Sequence, residues 1–405
     1  MGGAVLALNA GSSTLKFATY AVDGAGGLGP GVRGVLDAIG TRPRLLARDA
    51  GGAALADETY AAAEVPDAGA AAARVLGWLG PRLGGRPPLA VGHRVVHGGV
   101  RYAAPVAVDG EVLAALEALV PLAPLHQPGS LAPIRVLRAR LPEVVQVACF
   151  DTAFHRGHPD VADRFAVPEA LHREGVRRYG FHGLSYEAIV HALPAAAPAL
   201  AGGRVVVAHL GHGASMCAIA AGRSVESTMG FSALDGLPMG TRCGQIDPGV
   251  LLYLLRDKGL GAAELERFLY HECGLKGLSG LSGDVRDLLA SDAAPARLAV
   301  DYFVHRIARE LGALSAVLGG LDGLVFTGGI GEHSAEIRAR VCRRAAWLGL
   351  RLDEEANAAG GPRISAPDSA VSAWRLATDE EGVIARHAWA VWAAAPGRAS
   401  ARRAP

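Results

Sequence analysis

LALNAGSSTLKFATY, residues 6–20, decides the fold, because RVVVAHLGHGASMCAIAA at 204–221 repeats its plan about 200 residues further on. In each stretch an apolar run enters a glycine-containing turn and a second apolar run leaves it, the pattern of two strands joined as a hairpin. Placing Gly11 opposite Gly213 aligns apolar strand on both sides of each turn. A repeat this far apart exceeds the period of roughly 20–50 residues that marks solenoids, so it reads as a duplication at the scale of a domain.

The 405 residues exceed what one hydrophobic core usually organises, so two domains are expected. Half the residues are hydrophobic and a fifth charged, which excludes a disordered chain. The net charge is +1 and the one basic run, RASARR at 398–403, is a short tail, so a nucleic-acid partner is not expected. The five cysteines are scattered and form no C-x-x-C pair, which argues against a zinc site or disulfide framework. The apolar run Ala4–Leu8 is short, with no basic segment before it, and no stretch is long and apolar enough to span a bilayer. A cytoplasmic protein with no membrane partner is expected.

Strands are expected at 4–8, 15–22, 89–96, 144–150, 204–210, 321–327 and 370–377. Helices are expected at 68–79, 109–119, 129–140, 185–193, 247–256, 262–271, 296–318, from about 333, and at 379–394. Strands interleaved with long helices argue for an α/β architecture. The Ala-rich stretch 50–75 reads as the weakest ordered part, a peripheral insertion.

The chain uses Lys three times among its 40 Lys and Arg, and Asn twice, yet Asn9 and Lys16 both fall in the first hairpin. A strand–turn–strand is neither a Walker loop nor a dinucleotide fingerprint. A Gly/Ser turn can still aim backbone and hydroxyl donors at a phosphate, and a lysine adds a compact charge. One such hairpin is more often simply a turn. Two of them, facing each other, suit a nucleoside triphosphate.

In VGHRVVHGG at 91–99, His93 and His97 would lie about 13 Å apart on a strand, too far to share a metal. Arg94 reads either as half of an internal ion pair or as a planar fork for a phosphoryl or carboxylate group. In CFDTAFH, Asp151 follows an apolar strand, where α/β sites collect ligands, although Asp151, Thr152 and His155 also suit a helix cap. His182 in RRYGFHG reads as a core histidine and Arg242 in GTRCGQIDP as a surface cation when each is taken alone.

Taken together, NAGSSTLKF, HRVVHGG, PLAPLHQP, FDTAFH, RRYGFHG, HLGHGAS, STMGF with GTRCG, FTGGIGE and TDEEGVIA run in order from residue 9 to residue 385, and this series resembles the acetate kinase family. That family belongs to the acetate and sugar kinase, Hsp70 and actin superfamily. The resemblance implies an α/β fold of two duplicated ribonuclease H-like domains, the actin-like ATPase fold, with an interdomain cleft. The first domain would hold 1–150 and the returning helix 383–405, and the second 151–382. It implies a cytoplasmic homodimer that reversibly transfers a phosphoryl group from ATP to acetate by a direct in-line step, with Mg2+ or Mn2+.

By motif, the resemblance places Asp151, Arg94, Arg242 and His182 at the reacting groups. Val96, Leu125 and Phe181 would form the pocket for the acid's methyl group, alongside Arg94. Lys16, Ser12 and Thr14 would face phosphate from the first turn, and His209, Leu210, Gly211, His212 and Gly213 from the second. Asp284, Val285 and Arg286 with Gly329, Ile330, Gly331 and Glu332 would line the adenosine end, and Asn9 and Glu380 would serve the metal.

The carboxylate of the acid is ionised at neutral pH, so Asp151 is better cast as an orienting or magnesium-water group than as a base. The chain departs from the family pattern at His212, at Leu184 and Tyr186, at Gln245 and at Ala233. A smaller wall at Ala233 keeps propionate open as a substrate. A catalytically silent nucleotide-binding regulator on the same scaffold is the reading from another class, and a sugar kinase a third.

Overall fold

The structure, a computed structural model, describes residues 3–11 and 13–395. Ser12 and the basic run at 398–403 lie outside the described residues. The chain divides into two compact units, Met1–Ala153 with Asp379–Pro405, and Phe154–Thr378.

The first unit carries one eight-stranded sheet made of β1 (Ala4–Ala10), β2 (Leu15–Val22), β3 (Leu28–Asp37), β4 (Arg44–Arg48), β5 (Ala54–Thr59), β6 (Ala90–Val95), β7 (Val106–Ala107) and β8 (Val145–Phe150). Its order is β5-β4-β3-β2-β1-β6-β8-β7. β1, β2 and β3 form an antiparallel meander, and β6 and β8 continue parallel to β1. Parallel neighbours need long crossovers. The helix Ala68–Leu79 lies in the one before β6, and the helices Gly110–Glu117 and Gln127–Arg140 in the one before β8.

The second unit carries β9 (Arg204–Leu210), β10 (Ala214–Ala220), β11 (Arg223–Ser227), β12 (Gly323–Thr327) and β13 (Ser372–Arg375), in the order β11-β10-β9-β12-β13. β9, β10 and β11 are an antiparallel meander, and β12 and β13 continue parallel to β9. With β4, β5 and β7 set aside, both sheets have the same strand order and the same senses. The two hairpins therefore open two copies of one ribonuclease H-like topology, and the fold is α/β.

Each hairpin is apolar because it is covered. Leu6, Leu8, Leu15 and Phe17 pack with Ala71, Ala72, Val75 and Leu79 of the helix Ala68–Leu79. Val205, Val207, Cys217 and Ile219 pack with Tyr186, Ile189 and Leu193 of the helix Gly183–Ala196. Of the stretch 50–75, the part from Ala68 belongs to the core of the first unit, whereas Ala54–Thr59 is mostly exposed at the periphery. β5 is the edge strand of the sheet, and small alanine side chains let the helix that follows approach β1 and β2 closely.

The helix Glu380–Ala394 returns to the first unit, capped by the Asp379 carboxylate, which accepts from the Gly382 N–H at 3.3 Å. Its approach to β6 explains Gly92: a Cβ there would lie 2.5 Å from Ile384 Cγ2 and 2.9 Å from the Ile384 carbonyl oxygen. Among the described residues no helix is long and apolar enough to cross a membrane.

Candidate active site

Arg94, the penultimate residue of β6, and Asp151, directly after β8, come from adjacent parallel strands and meet at their carboxyl ends. Arg94 Nε donates to both Asp151 oxygens at 3.0 and 3.1 Å, and Nη2 donates to Oδ2 at 2.6 Å. Nη1 donates to the Ala10 carbonyl at the mouth of the first turn, at 3.3 Å. Burial pushes the Asp151 carboxyl up, and the guanidinium offsets part of that rise. Burial also works against the Arg94 charge, but the carboxylate outweighs it and the guanidinium is raised. The guanidinium stays charged, since arginine does not deprotonate in proteins, and donation from both Nε and Nη2 favours the carboxylate form of Asp151. Arg94 is forked by Asp151, and it also lines a cavity of about 220 Å³ together with Val96 and Leu125.

The first turn closes through the Gly11 N–H, which donates to the Thr14 carbonyl at 2.8 Å. Asn9 and Lys16 are directly paired across β1 and β2 and so share one face of the sheet. Asn9 Nδ2 donates to Glu380 Oε2 at 2.7 Å and to Glu381 Oε1 at 2.8 Å. Burial and the Glu380 charge push the Glu381 carboxyl up, against the pull of Lys16 and the Asn9 amide. Sequence reasoning missed Glu381, although it stands beside Glu380 in TDEEG.

In the second unit His182 sits at φ 57°, ψ 22° and opens the helix Gly183–Ala196. A left-handed conformation costs a residue with a Cβ roughly 1–2 kcal/mol, so the position is held by its surroundings. Its Nδ1 lies 2.8 Å from Ser215 Oγ. Its ring stacks on His209 at 4.3 Å between centroids, and His209 Nδ1 lies 2.8 Å from Ser185 Oγ.

The second turn is bare where it meets these groups. A Cβ on Gly213 would lie 2.7 Å from Arg242 Nη2 and 3.4 Å from His182 Nε2. Arg242 Nη1 donates to the Ala233 carbonyl at 2.7 Å, so the guanidinium is anchored and is not a loose surface cation. Leu210 and Phe181 are buried side chains, and the Phe181 carbonyl lies 2.9 Å from His155 Nε2.

A larger cavity of about 780 Å³ is lined by Gly211, His212, Asp284, Val285, Arg286, Gly329 and Ile330, all named from the sequence. That volume is ordinary for a cofactor-sized ligand. Gly331 and Glu332 are placed differently. Gly331 is buried beside Phe326, and the Glu332 carboxylate accepts from the Gly328 N–H at 3.0 Å and the Thr378 N–H at 3.4 Å. Both serve the turn after β12 and not the cavity wall.

Glu380, Glu381 and the Asn9 carbonyl supply hard oxygens. Among the described residues no group of three His, Cys, Asp or Glu stands ready to hold a metal. That combination fits Mg2+, which keeps most of its waters and binds through one or two carboxylates plus substrate phosphates.

The model of the acetokinase family matches residues 4–386. An acetate kinase of Nitrobacter hamburgensis is 55% identical, over 95% of each chain. The crystal structure of Porphyromonas gingivalis acetate kinase superposes with a TM-score of 0.81 at 34% identity, covering 96% of this chain and 99% of that one. A propionate kinase from Francisella tularensis superposes with a TM-score of 0.85 at 33% identity, covering 95% and 98%. Since the family model covers nearly the full length and the ordered motifs occupy both sheets, the chain belongs to the acetokinase family.

Proposed function

We propose that the chain is a phosphotransferase that moves the γ-phosphoryl group of ATP to acetate, reversibly, giving acetyl phosphate and ADP. A carboxylate oxygen of acetate forms the new bond to phosphorus as the bond to the β-phosphate oxygen breaks, and no proton need move. The observation that carries this reading is the convergence of Arg242 Nη2 and His182 Nε2 on the bare Gly213 of a phosphate-type turn.

The barrier is repulsion between an anion and a polyanion. Two unit charges about 4 Å apart repel by roughly 4 kcal/mol at an effective dielectric constant of 20. That is worth about a thousandfold in rate, so groups that cancel it dominate catalysis. Arg242 and His182 are suited to the equatorial oxygens of the moving phosphoryl group. Arg94, held in plane by Asp151, is suited to the acetate carboxylate in the cavity that Val96 and Leu125 line. Asp151 acts here by orienting Arg94, not as a base.

Glu380 and Glu381, oriented by Asn9, would hold Mg2+ through its waters, and the cation would draw charge from the β- and γ-phosphates. Lys16 stands on the same face and adds a compact charge. The cavity beside His212 and Ile330 is suited to the adenosine end of the nucleotide.

The test is acyl hydroxamate formation from ATP, Mg2+ and hydroxylamine, with acetate and propionate run in parallel. Acetate should give the larger kcat/KM. Propionate exceeding it would reassign the substrate, and no product from either acid would favour a silent regulator. A homodimer is part of the same reading. The helix Pro248–Arg256 buries none of its residues and exposes Val250, Leu252, Tyr253 and Leu255. An apolar helix left bare on one unit suits an interface. Light scattering that returned only a 41.6 kDa species would contradict it.

A further inference from the structure

Tyr186 and Ser215 take no part in the reaction as drawn above, yet both are fully buried beside His182. Tyr186 lies in the first turn of the helix that His182 opens, and Ser215 follows Gly213 by two residues on β10. The Tyr186 hydroxyl is hydrogen-bonded to Ser215 Oγ, and the same oxygen lies 2.8 Å from His182 Nδ1. Three polar groups therefore stand in line, and the direction of each hydrogen bond follows from the chemistry of its ends. A phenol is more acidic than an aliphatic hydroxyl, which makes Tyr186 the donor and Ser215 the acceptor. Ser215 then gives its own hydrogen to Nδ1. An imidazole that accepts at Nδ1 carries its hydrogen on Nε2.

We propose that Tyr186 and Ser215 are positioning residues for phosphoryl transfer, a donor relay that fixes His182 as the Nε2–H tautomer beside the Arg242 guanidinium. The inference rests on the role given to His182 above. Nε2 is the nitrogen that approaches Gly213, as Arg242 Nη2 also does. In this tautomer it offers a hydrogen to a negatively charged oxygen, where the other tautomer would offer a lone pair.

Two further contacts hold the ring. The stack on His209 sets its plane, and His209 is itself tied through Nδ1 to Ser185. Titratable and charged groups near the ring include Tyr186, His209 and Arg242. Burial pushes the Tyr186 phenol well up, so it stays a donor across the working pH range.

Long-range 1H–15N spectra of the native protein with labelled histidine read the tautomer without turnover, and His182→Asn assigns the resonance. At about two units above the ordinary histidine pKa the Nε2–H form is expected, and the Nδ1–H form would overturn the relay. Ser215→Ala should populate Nδ1–H and lower kcat about tenfold, with the KM for ATP changed less than about twofold. Tyr186→Phe should act in the same direction and more weakly, and Ser215→Thr, which keeps the hydroxyl, should restore the tautomer. Ser215→Ala with tautomer and kcat both unchanged would also overturn it. A native enzyme that shows Nε2–H but no acetate-dependent turnover would refute the role of His182 and leave the relay standing.

Discussion

Gly213→Ala adds one methyl group at the point where Arg242 and His182 approach the second turn. The new Cβ would lie 2.7 Å from Arg242 Nη2, and ordinary contact begins at 3.4 Å, so the guanidinium must retreat by 3.4 − 2.7 = 0.7 Å. His182 Nε2, already at 3.4 Å, can stay. Gly213 is not among the residues with positive φ, so its backbone accepts alanine, and the atom displaced is the far end of a flexible side chain. The fold should therefore yield cheaply, with a melting shift below about 3 °C. Alignment should not. Misplacing a reacting or stabilising group by about 1 Å costs up to about a hundredfold in rate. The hydroxamate assay should show kcat lower by about 10- to 100-fold, while calorimetry shows ADP affinity changed less than about fivefold. Full turnover in Gly213→Ala would refute the idea that Arg242 and His182 act from where they stand.

Asp151→Asn leaves the Arg94 guanidinium without its counter-charge, and breaking a buried pair costs about 3–5 kcal/mol. Denaturant unfolding should show that loss, together with acetyl phosphate formation lower by more than about a hundredfold. Native-like stability would show that the fork is not desolvated. A second expectation concerns acid. Burial lowers His93 to about 4, His155 to about 3 and His158 to about 4, with the nearby charge of His158 also acting on His155 and those of Arg156 and Arg178 on His158. Between these values and the unfolded value near 6.5 the unfolded chain binds more protons, so their stabilising contribution is complete above about 6.5 and is lost as pH falls towards 4. Near pH 6 the three together give a slope of roughly 3 kcal/mol per pH unit, and a flat urea midpoint from pH 7 to 5.5 would contradict their neutral burial.

The sequence is most legible where burial and chemistry act on the same few residues. Both hairpins could be read because β1, β2, β9 and β10 are covered on both faces and so carry dense apolar runs on either side of a glycine turn. β3, β4 and β5 could not, because LGPGVRGVLD, RLLAR and ALADET mix Gly, Pro and charge towards the β5 edge of the sheet, where less burial enforces a pattern. Arg94 and Asp151 could be placed at strand ends, but their fork depends on β6 and β8 being neighbours, a matter of topology. Glu381 was missed, and Tyr186 stood out only as a departure from the family pattern, for a like reason. One becomes a partner of Asn9 only when the last helix returns to β1, and the other meets Ser215 only when its helix packs on β10. For Glu332 the motif suggested a ligand contact, and the structure shows its carboxylate accepting from the Gly328 and Thr378 N–H groups.

The central claim is a single, direct displacement at phosphorus, with Arg242 and His182 stabilising the group in flight. Transfer to acetate from ATP made chiral at the γ-phosphorus by oxygen isotopes tests it most directly. Inversion of configuration in the acetyl phosphate is predicted. Retention would mean two displacements through a phosphorylated side chain and would contradict the account.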